Sequence, residues 1–465
     1  MKSIKKLSMF GFLFLTSSVL IEIYEYPTFA ISGFSSIFYL IIGGVLWFLP
    51  VCLCAAEMAT VEGFQEGGVF TWTSKTLGKK MGFAHIFYQF IVFTIGAVTM
   101  IYFIVGAIAY ITGIEAINNN PIIKFIFVIA IFWIITYVQL KGIKKTALIA
   151  KVGFIAGIVI PAVVLFALTG IYLIKGYPIH IDMSLKTFIP DFSNMGSLVV
   201  LVSFMLSYMG LEVSATHIND MENPKRDYPR AIIIILFLCI LLSSFGALSI
   251  GIVVPQSSLS LNQGVFQAYS ILLSYFGNFG FIVKLLALLL CLGSIAEISA
   301  WIVGPTRGLS LAGEKGFFSK KIAKRNKNDV ASNLLIIQGI GVTIWAFILT
   351  FAGGSSNNSF FMAMTLTVIV YLLAYGIFFI AYIKLTLKGN DLNRKYQIAK
   401  SKVVRLVIGI VGFVFTVIAF GISFIPPSGV KKSQVANYTH LLIIVFVLIV
   451  IIPFIITKVR KKHII

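Results

Sequence analysis

The chain has 465 residues, of which 59% are hydrophobic and only 11% charged, and its mean hydropathy is +1.00. A water-soluble fold of that length has no interior large enough to bury so much apolar surface, which excludes a soluble enzyme or binding module. The formal net charge of +21 does not signify nucleic-acid binding either, because the basic residues are scattered through short connectors instead of being gathered on one solvated domain.

Apolar runs of about 18 to 25 residues, the length of helix that crosses a bilayer, recur along the whole chain. The expected spans are 8–30, 37–58, 83–112, 122–140, 147–174, 196–216, 231–254, 279–303, 333–352, 360–384, 405–425 and 438–458, about twelve in all. The fold class is therefore an all-α membrane protein with no room for a separate soluble domain. The first span follows a basic start, Met1-Lys2-Ser3-Ile4-Lys5-Lys6, as a signal peptide would. It runs on through Tyr24 and Pro27 and is followed by many more spans, so an uncleaved first span is expected.

Numbered from a cytoplasmic amino terminus, alternate connectors hold most of the 37 Lys and Arg residues: Lys75 to Lys80, Lys141 to Lys151, Lys225 to Arg230, Arg307 to Lys327, Lys384 to Arg405 and the segment from Lys458. The opposite connectors hold Lys175, Lys186, Lys431 and Lys432, with Lys124 and Lys284 inside or beside spans. This bias orients both termini to the cytoplasm and requires an even number of spans.

The first span is interrupted by Glu22-Ile23-Tyr24-Glu25-Tyr26-Pro27, where Pro27 removes a backbone donor. Glu57 lies near a cytoplasmic end and is expected to reach water. The sixth span contains Ser207-Tyr208-Met209-Gly210-Leu211-Glu212, again a helix-weakening residue beside a carboxyl. Helices broken at Pro27 and Gly210, in corresponding positions of two five-span halves, point to an inverted-repeat transporter with substrate held at the breaks. His217, just after the sixth span, is a candidate for pH sensing; His85, His180 and His440 are read as interfacial and His463 belongs to the tail. In the eighth span Glu297 is thirteen positions, roughly 20 Å of helix, from Lys284, so it needs a partner on another element. Ser294, Glu297 and Trp301 share one helix face, and Tyr371 and Tyr375 share another in the tenth span. The connector 304–332, with the amphipathic stretch Phe317 to Ile322, suits either a membrane-surface segment or a solvated loop.

Cys52, Cys54, Cys239 and Cys291 lie in apolar runs and are read as small core residues. There is no Gly-x-x-x-x-Gly-Lys-Ser/Thr phosphate loop and no His-Glu-x-x-His helix. Neither ATP-driven transport nor metallopeptidase chemistry has its mark, and no cofactor, metal or nucleic acid is implied.

Four stretches resemble the bacterial glutamate/γ-aminobutyrate antiporters of acid resistance, within the amino acid/polyamine/organocation superfamily. They are Tyr24-Glu25-Tyr26-Pro27-Thr28-Phe29-Ala30; Cys54-Ala55-Ala56-Glu57-Met58-Ala59-Thr60 with Glu66-Gly67-Gly68-Val69-Phe70; Ser207 to Glu212 running on to Asn223-Pro224-Lys225-Arg226-Asp227-Tyr228-Pro229; and Ala296 to Pro305. The Gly-x-Glu and Asn-Pro-x-Arg elements are widespread in the superfamily, and the Tyr-Glu-Tyr-Pro run is more specific. The resemblance implies a LeuT-type 5+5 inverted repeat within 1–403, with halves at about 8–174 and 196–384, followed by two further helices and a short tail over 404–465. It also implies exchange of extracellular glutamate for intracellular γ-aminobutyrate without ATP, favoured at acidic pH, with a cytoplasmic glutamate decarboxylase as functional partner. Carried over by position, Tyr24, Glu25, Glu212, Glu297, Trp301, Tyr371 and Tyr375 belong to the substrate site or its gates.

Two departures accompany this likeness. Glu22 adds a carboxyl where the family has a small apolar residue, and the family's folded cytoplasmic tail has no counterpart after Ile456. A pH response would then reside in the bundle, with Glu22, His217 and Glu297 as candidates. The other readings are an exchanger or proton-coupled importer of a different amino acid and, from another class, a membrane-embedded sensor or enzyme. The last pair has no nucleophile, metal cluster or signalling domain in support.

Overall fold

In hydrocarbon every backbone N–H and C=O must be satisfied within the protein, and for apolar segments of this length the helix does so locally. The computed structural model of the chain describes residues 7–142, 152–193, 200–328, 330–389, 392–426 and 435–461. The basic residues at 1–6, most of the 141–151 connector, Lys431, Lys432 and His463 lie outside the described residues. Among the described residues ten helices are long and apolar enough to cross a membrane: Ser35–Thr60, Lys79–Thr112, Pro121–Gln139, Val152–Ile174, Pro224–Val253, Gly280–Glu314, Ser332–Ala352, Ser356–Lys388, Lys402–Ile422 and Tyr438–Val459. The two remaining expected spans, the first and the sixth, are each split into shorter pieces: Met9–Leu20 with Tyr26–Ala30, and Val200–Leu206 with Leu211–Ala215. Together they account for the expected total of about twelve.

The helices sort into an inner and an outer set. The most apolar stretches of the 79–112 and 356–388 helices are 83% and 78% buried, against 28% and 22% for the 402–422 and 438–459 helices. The first two pack against each other and form the axis of the bundle. The last two present Val407, Ile410, Val414, Ile444 and Leu448 outward, where apolar side chains meet lipid at no cost. Tight crossings use glycine: a Cβ on Gly157 would lie 2.3 Å from the backbone nitrogen of Gly293, so the 152–174 and 280–301 helices touch backbone to backbone. All four cysteines are buried and free, as small core residues should be.

Three expectations change. The connector after the eighth span is not an open loop, because 303–314 continues as helix. Phe317 stacks on Phe83 with centroids 5.1 Å apart and also meets Phe70, which draws the amphipathic stretch onto the protein. His85 is 2% exposed and within 2.7 Å of the Thr73 hydroxyl, hence a core residue and not an interfacial one.

Glu57 is fully buried and does not reach water. Its carboxylate is paired with Arg394, takes Arg405 Nη1 at 3.0 Å, and accepts from the Tyr382 hydroxyl at 3.1 Å and the Ile398 amide at 3.2 Å. The segment after Asn393 lies alongside residues 60–62 through Glu62 N to Asn393 O and Lys395 N to Thr60 O. The basic connector between the 356–388 and 402–422 helices therefore folds back to bring Arg394 in. The knot ties the 49–60 helix to the 356–388 and 402–422 helices. Removing one partner of a buried ion pair leaves charge uncompensated, which costs more than the pair contributes. Arg405→Met is expected to lower the unfolding temperature of the purified protein by a few degrees, with Arg405→Lys falling between it and wild type.

Candidate functional site

The first break falls one turn before Pro27. That proline has no N–H for the carbonyl of Ile23, and its ring crowds the same carbonyl. Accordingly Ile21 (φ −95°, ψ 103°) and Glu22 (φ −122°, ψ 108°) are extended, Ile23–Glu25 is a single 3-10 turn, and a new helix starts at Tyr26 with Pro27 in its first turn. Pro27 is thus the cause of the break but lies just after it.

The second break is at Gly210, with φ +93°, between Leu206 and Leu211. This left-handed conformation is open to glycine. A Cβ at Gly210 would stand 2.1 Å from Cη2 of Trp301, so the backbone of the break lies directly against the indole.

Between the breaks is a cavity with about 460 Å³ of space between atoms, open solvent included. Glu22 and Tyr24 line it from the first break, Leu206 and Met209 from the second, and Trp301 and Tyr371 from two further helices. The 79–112 helix supplies Val92, Phe93, Gly96, Ala97, Thr99 and Met100.

Four predicted site residues, Glu25, Glu212, Glu297 and Tyr375, are not walls of the cavity but touch residues that are. Glu212 accepts from the Tyr371 hydroxyl and Gln89 Nε2, each at 2.7 Å, and from the Tyr375 hydroxyl at 2.5 Å. Tyr375 also accepts the Gly210 amide at 3.1 Å, which joins the second break to the 356–388 helix. The Tyr371 and Tyr375 rings stack with centroids 4.8 Å apart.

On the other side the Tyr24 hydroxyl donates to Glu22 at 2.5 Å. The Glu25 and Glu297 carboxyls lie close enough to Glu22 to feel its charge. Both oxygens of Glu25, Oε1 of Glu297, Oγ1 of Thr99 and Nε1 of Trp301 are buried without a hydrogen-bond partner. Groups left in that state call for one. His217 is half-buried in the short turn Thr216–Asp220 and does not line the cavity.

Gln89, Thr99, Met209 and Thr367 were not singled out in the sequence. Gln89 carried the one usable signal, an amide in the middle of a long apolar span with nothing polar of its own to bond.

Broken inner helices, a cavity between them and carboxyls held in hydrocarbon match what sequence comparison finds. The amino acid permease family matches residues 7–449. The chain belongs to the amino acid permease family. Its members carry solutes across membranes, and the chain is a multi-pass membrane transporter, not an enzyme. It is 47% identical over 460 residues to the glutamate/gamma-aminobutyrate antiporter of Lactococcus lactis subsp. lactis, covering 99% of this chain and 92% of that one. It is 48% identical over 459 residues to the protein of the same name from Lactococcus lactis subsp. cremoris, covering 98% and 91%. A probable agmatine/putrescine antiporter of Lactococcus lactis subsp. lactis is 25% identical over 399 residues, 83% of this chain and 82% of that one.

Proposed function

We propose that this permease exchanges extracellular glutamate for intracellular γ-aminobutyrate by alternating access, in a cytoplasmic membrane with both termini inside. Two five-span halves, about 8–174 and 196–384, form the transport core, and 404–465 adds two helices at its edge. The observation that carries the reading is the cavity between the breaks, edged by the unpartnered Trp301 Nε1 and Thr99 Oγ1. The names of the relatives 47% and 48% identical supply the substrate pair.

Helix ends at the breaks have amides and carbonyls with no partner inside their own helix. Amides at the positive helix ends receive the α-carboxylate, and carbonyls receive the ammonium. Tyr24, Tyr371 and Trp301 sense the side chain, while Glu212 and Tyr375 position Tyr371 and the second break. A cytoplasmic glutamate decarboxylase is the natural partner, since its product is the counter-substrate. In proteoliposomes loaded with γ-aminobutyrate, uptake of labelled glutamate is expected to exceed that of empty vesicles at least tenfold. Equal uptake in the two would overturn exchange, and stronger counterflow by agmatine, putrescine or aspartate would reassign the substrates.

The carboxyls of Glu22, Glu25 and Glu297 gather beside the cavity. When ionised they repel an acidic substrate, so exchange of glutamate rises as pH falls. Glu297→Gln cannot ionise and is expected to keep rapid exchange to a higher pH than wild type. Superimposable pH profiles for the two proteins would count against this role.

A further inference from the structure

Lys124 carries a buried amine with no counter-charge against it among the described residues. It lies in the first turn of the 121–139 helix and is 2% exposed. Its ammonium donates to the Ser356 hydroxyl at 3.2 Å and stands 4.2 Å above the centre of the Tyr102 ring. Among the described residues no carboxylate pairs with it. The nearest in sequence, Glu115, is exposed and accepts from Asn119 at 3.4 Å.

The placement is unfavourable for a cation on a second count. The start of a helix is its positive end, and a positive charge there is repelled. Lys124 faces two such ends, its own helix and the 356–388 helix, whose first residues Ser355 and Ser356 border the same cleft. The caps relieve only part of this field: Asn120 takes the Ile122 and Ile123 amides, and Ser355 takes the Asn358 amide.

The cleft itself encloses about 410 Å³ of empty space, partly open to solvent, and its walls include Asn118, Lys124, Thr350 and Ser359, all buried, with Asn119 at its rim. These walls are held from behind. Ser356 donates to the Asn118 carbonyl at 2.7 Å, Asn262 donates to Asn118 Oδ1 at 2.6 Å, and Thr350 lies 2.7 Å from the Tyr102 hydroxyl. The cleft is separate from the central cavity and shares none of its lining residues.

We propose that this cleft is a second ligand site, which binds a small anion, either a halide ion or a carboxylate group, on the Lys124 ammonium between the two helix starts. Lys124 has three N–H donors, of which one goes to Ser356 and one points over the ring, leaving one for the ligand. An anion there neutralises the buried charge and both helix dipoles at once. Because the site lies at the end of the bundle away from the basic connectors, it meets the anions of the opposite compartment. The proposal does not depend on which amino acid the central cavity carries.

The test uses the purified full-length protein in detergent, with methanesulfonate as background anion at constant ionic strength. Its unfolding temperature is followed as chloride, acetate or glutamate replaces methanesulfonate. A ligand that binds the folded state raises this temperature with the logarithm of 1 + [L]/Kd, so the curve yields a Kd. Wild type is expected to show such a rise with chloride or acetate, and Lys124→Gln to raise the fitted Kd at least tenfold. A glutamate effect that persists in Lys124→Gln belongs to the central cavity, whereas one lost with Lys124 adds the substrate carboxylate to the ligands of the cleft. Indistinguishable chloride and acetate curves for wild type and Lys124→Gln would overturn the proposal. If Lys124→Gln does not fold, Ser356→Ala decides: it is expected to raise the fitted Kd several-fold, and an unmoved curve overturns the site equally.

Discussion

Gly210→Ala is expected to abolish exchange while the protein still inserts. Two independent obstacles act on the one methyl group. The backbone at φ +93° is a conformation that L side chains rarely adopt, and the new Cβ would stand 2.1 Å from Cη2 and 2.7 Å from Cζ2 of Trp301. The contact is with a rigid indole, so relief requires either Trp301 to leave the cavity wall or the second break to close into helix. Each outcome removes part of the proposed site. Strain of this kind costs on the order of 1–3 kcal/mol even before the clash is counted, and every 1.4 kcal/mol is about tenfold in rate. A loss of at least a hundredfold in glutamate counterflow is expected, with normal membrane yield. A companion variant, Trp301→Leu in the Gly210→Ala background, removes the clash and leaves the strain, so folded stability should recover in part while transport does not. Wild-type counterflow in Gly210→Ala would show that the conformation at this break is not needed for transport.

Much of this arrangement is legible in the sequence, and the part that is not has a physical reason. Long apolar runs report their own helices, because length and hydropathy are local properties. Pro27 and Gly210 report breaks for the same reason, although the first break lies a turn upstream of the residue that causes it. The carboxyls in hydrocarbon announce themselves as needing partners, but sequence does not say which. Glu297 is drawn beside Glu22 from a helix more than two hundred residues away, and Glu212 takes Gln89, Tyr371 and Tyr375 from two other helices. Glu57 shows the cost of reading position alone. Its place near a helix end suggested water, whereas Arg394 and Arg405 come to it from a connector and a helix that sequence gave no reason to join. Lys124, read as inside or beside a span, proves to be buried within the protein, which hydropathy alone does not tell.

The last expectation separates the two tyrosines that share one helix face. If both merely packed, phenylalanine would serve at either position, since ring volume is nearly kept. The hydrogen bonds predict unequal effects instead. Tyr371→Phe removes one donor to Glu212 Oε1, which still receives Gln89. Tyr375→Phe removes the donor to Oε2 and also the hydroxyl that accepts the Gly210 amide, at the backbone of the second break. Removing one partner of a buried hydrogen bond costs about 1–3 kcal/mol. Tyr375→Phe is therefore expected to slow exchange by at least a further tenfold relative to Tyr371→Phe. The stacking of the two rings is kept in both variants, so folded yield should be similar. Measured as initial rates of glutamate counterflow at matched protein density, equal losses would mean that Tyr375 does not hold the break through Gly210. Wild-type rates in both would return the pair to simple packing and remove Glu212 from the machinery that positions the site.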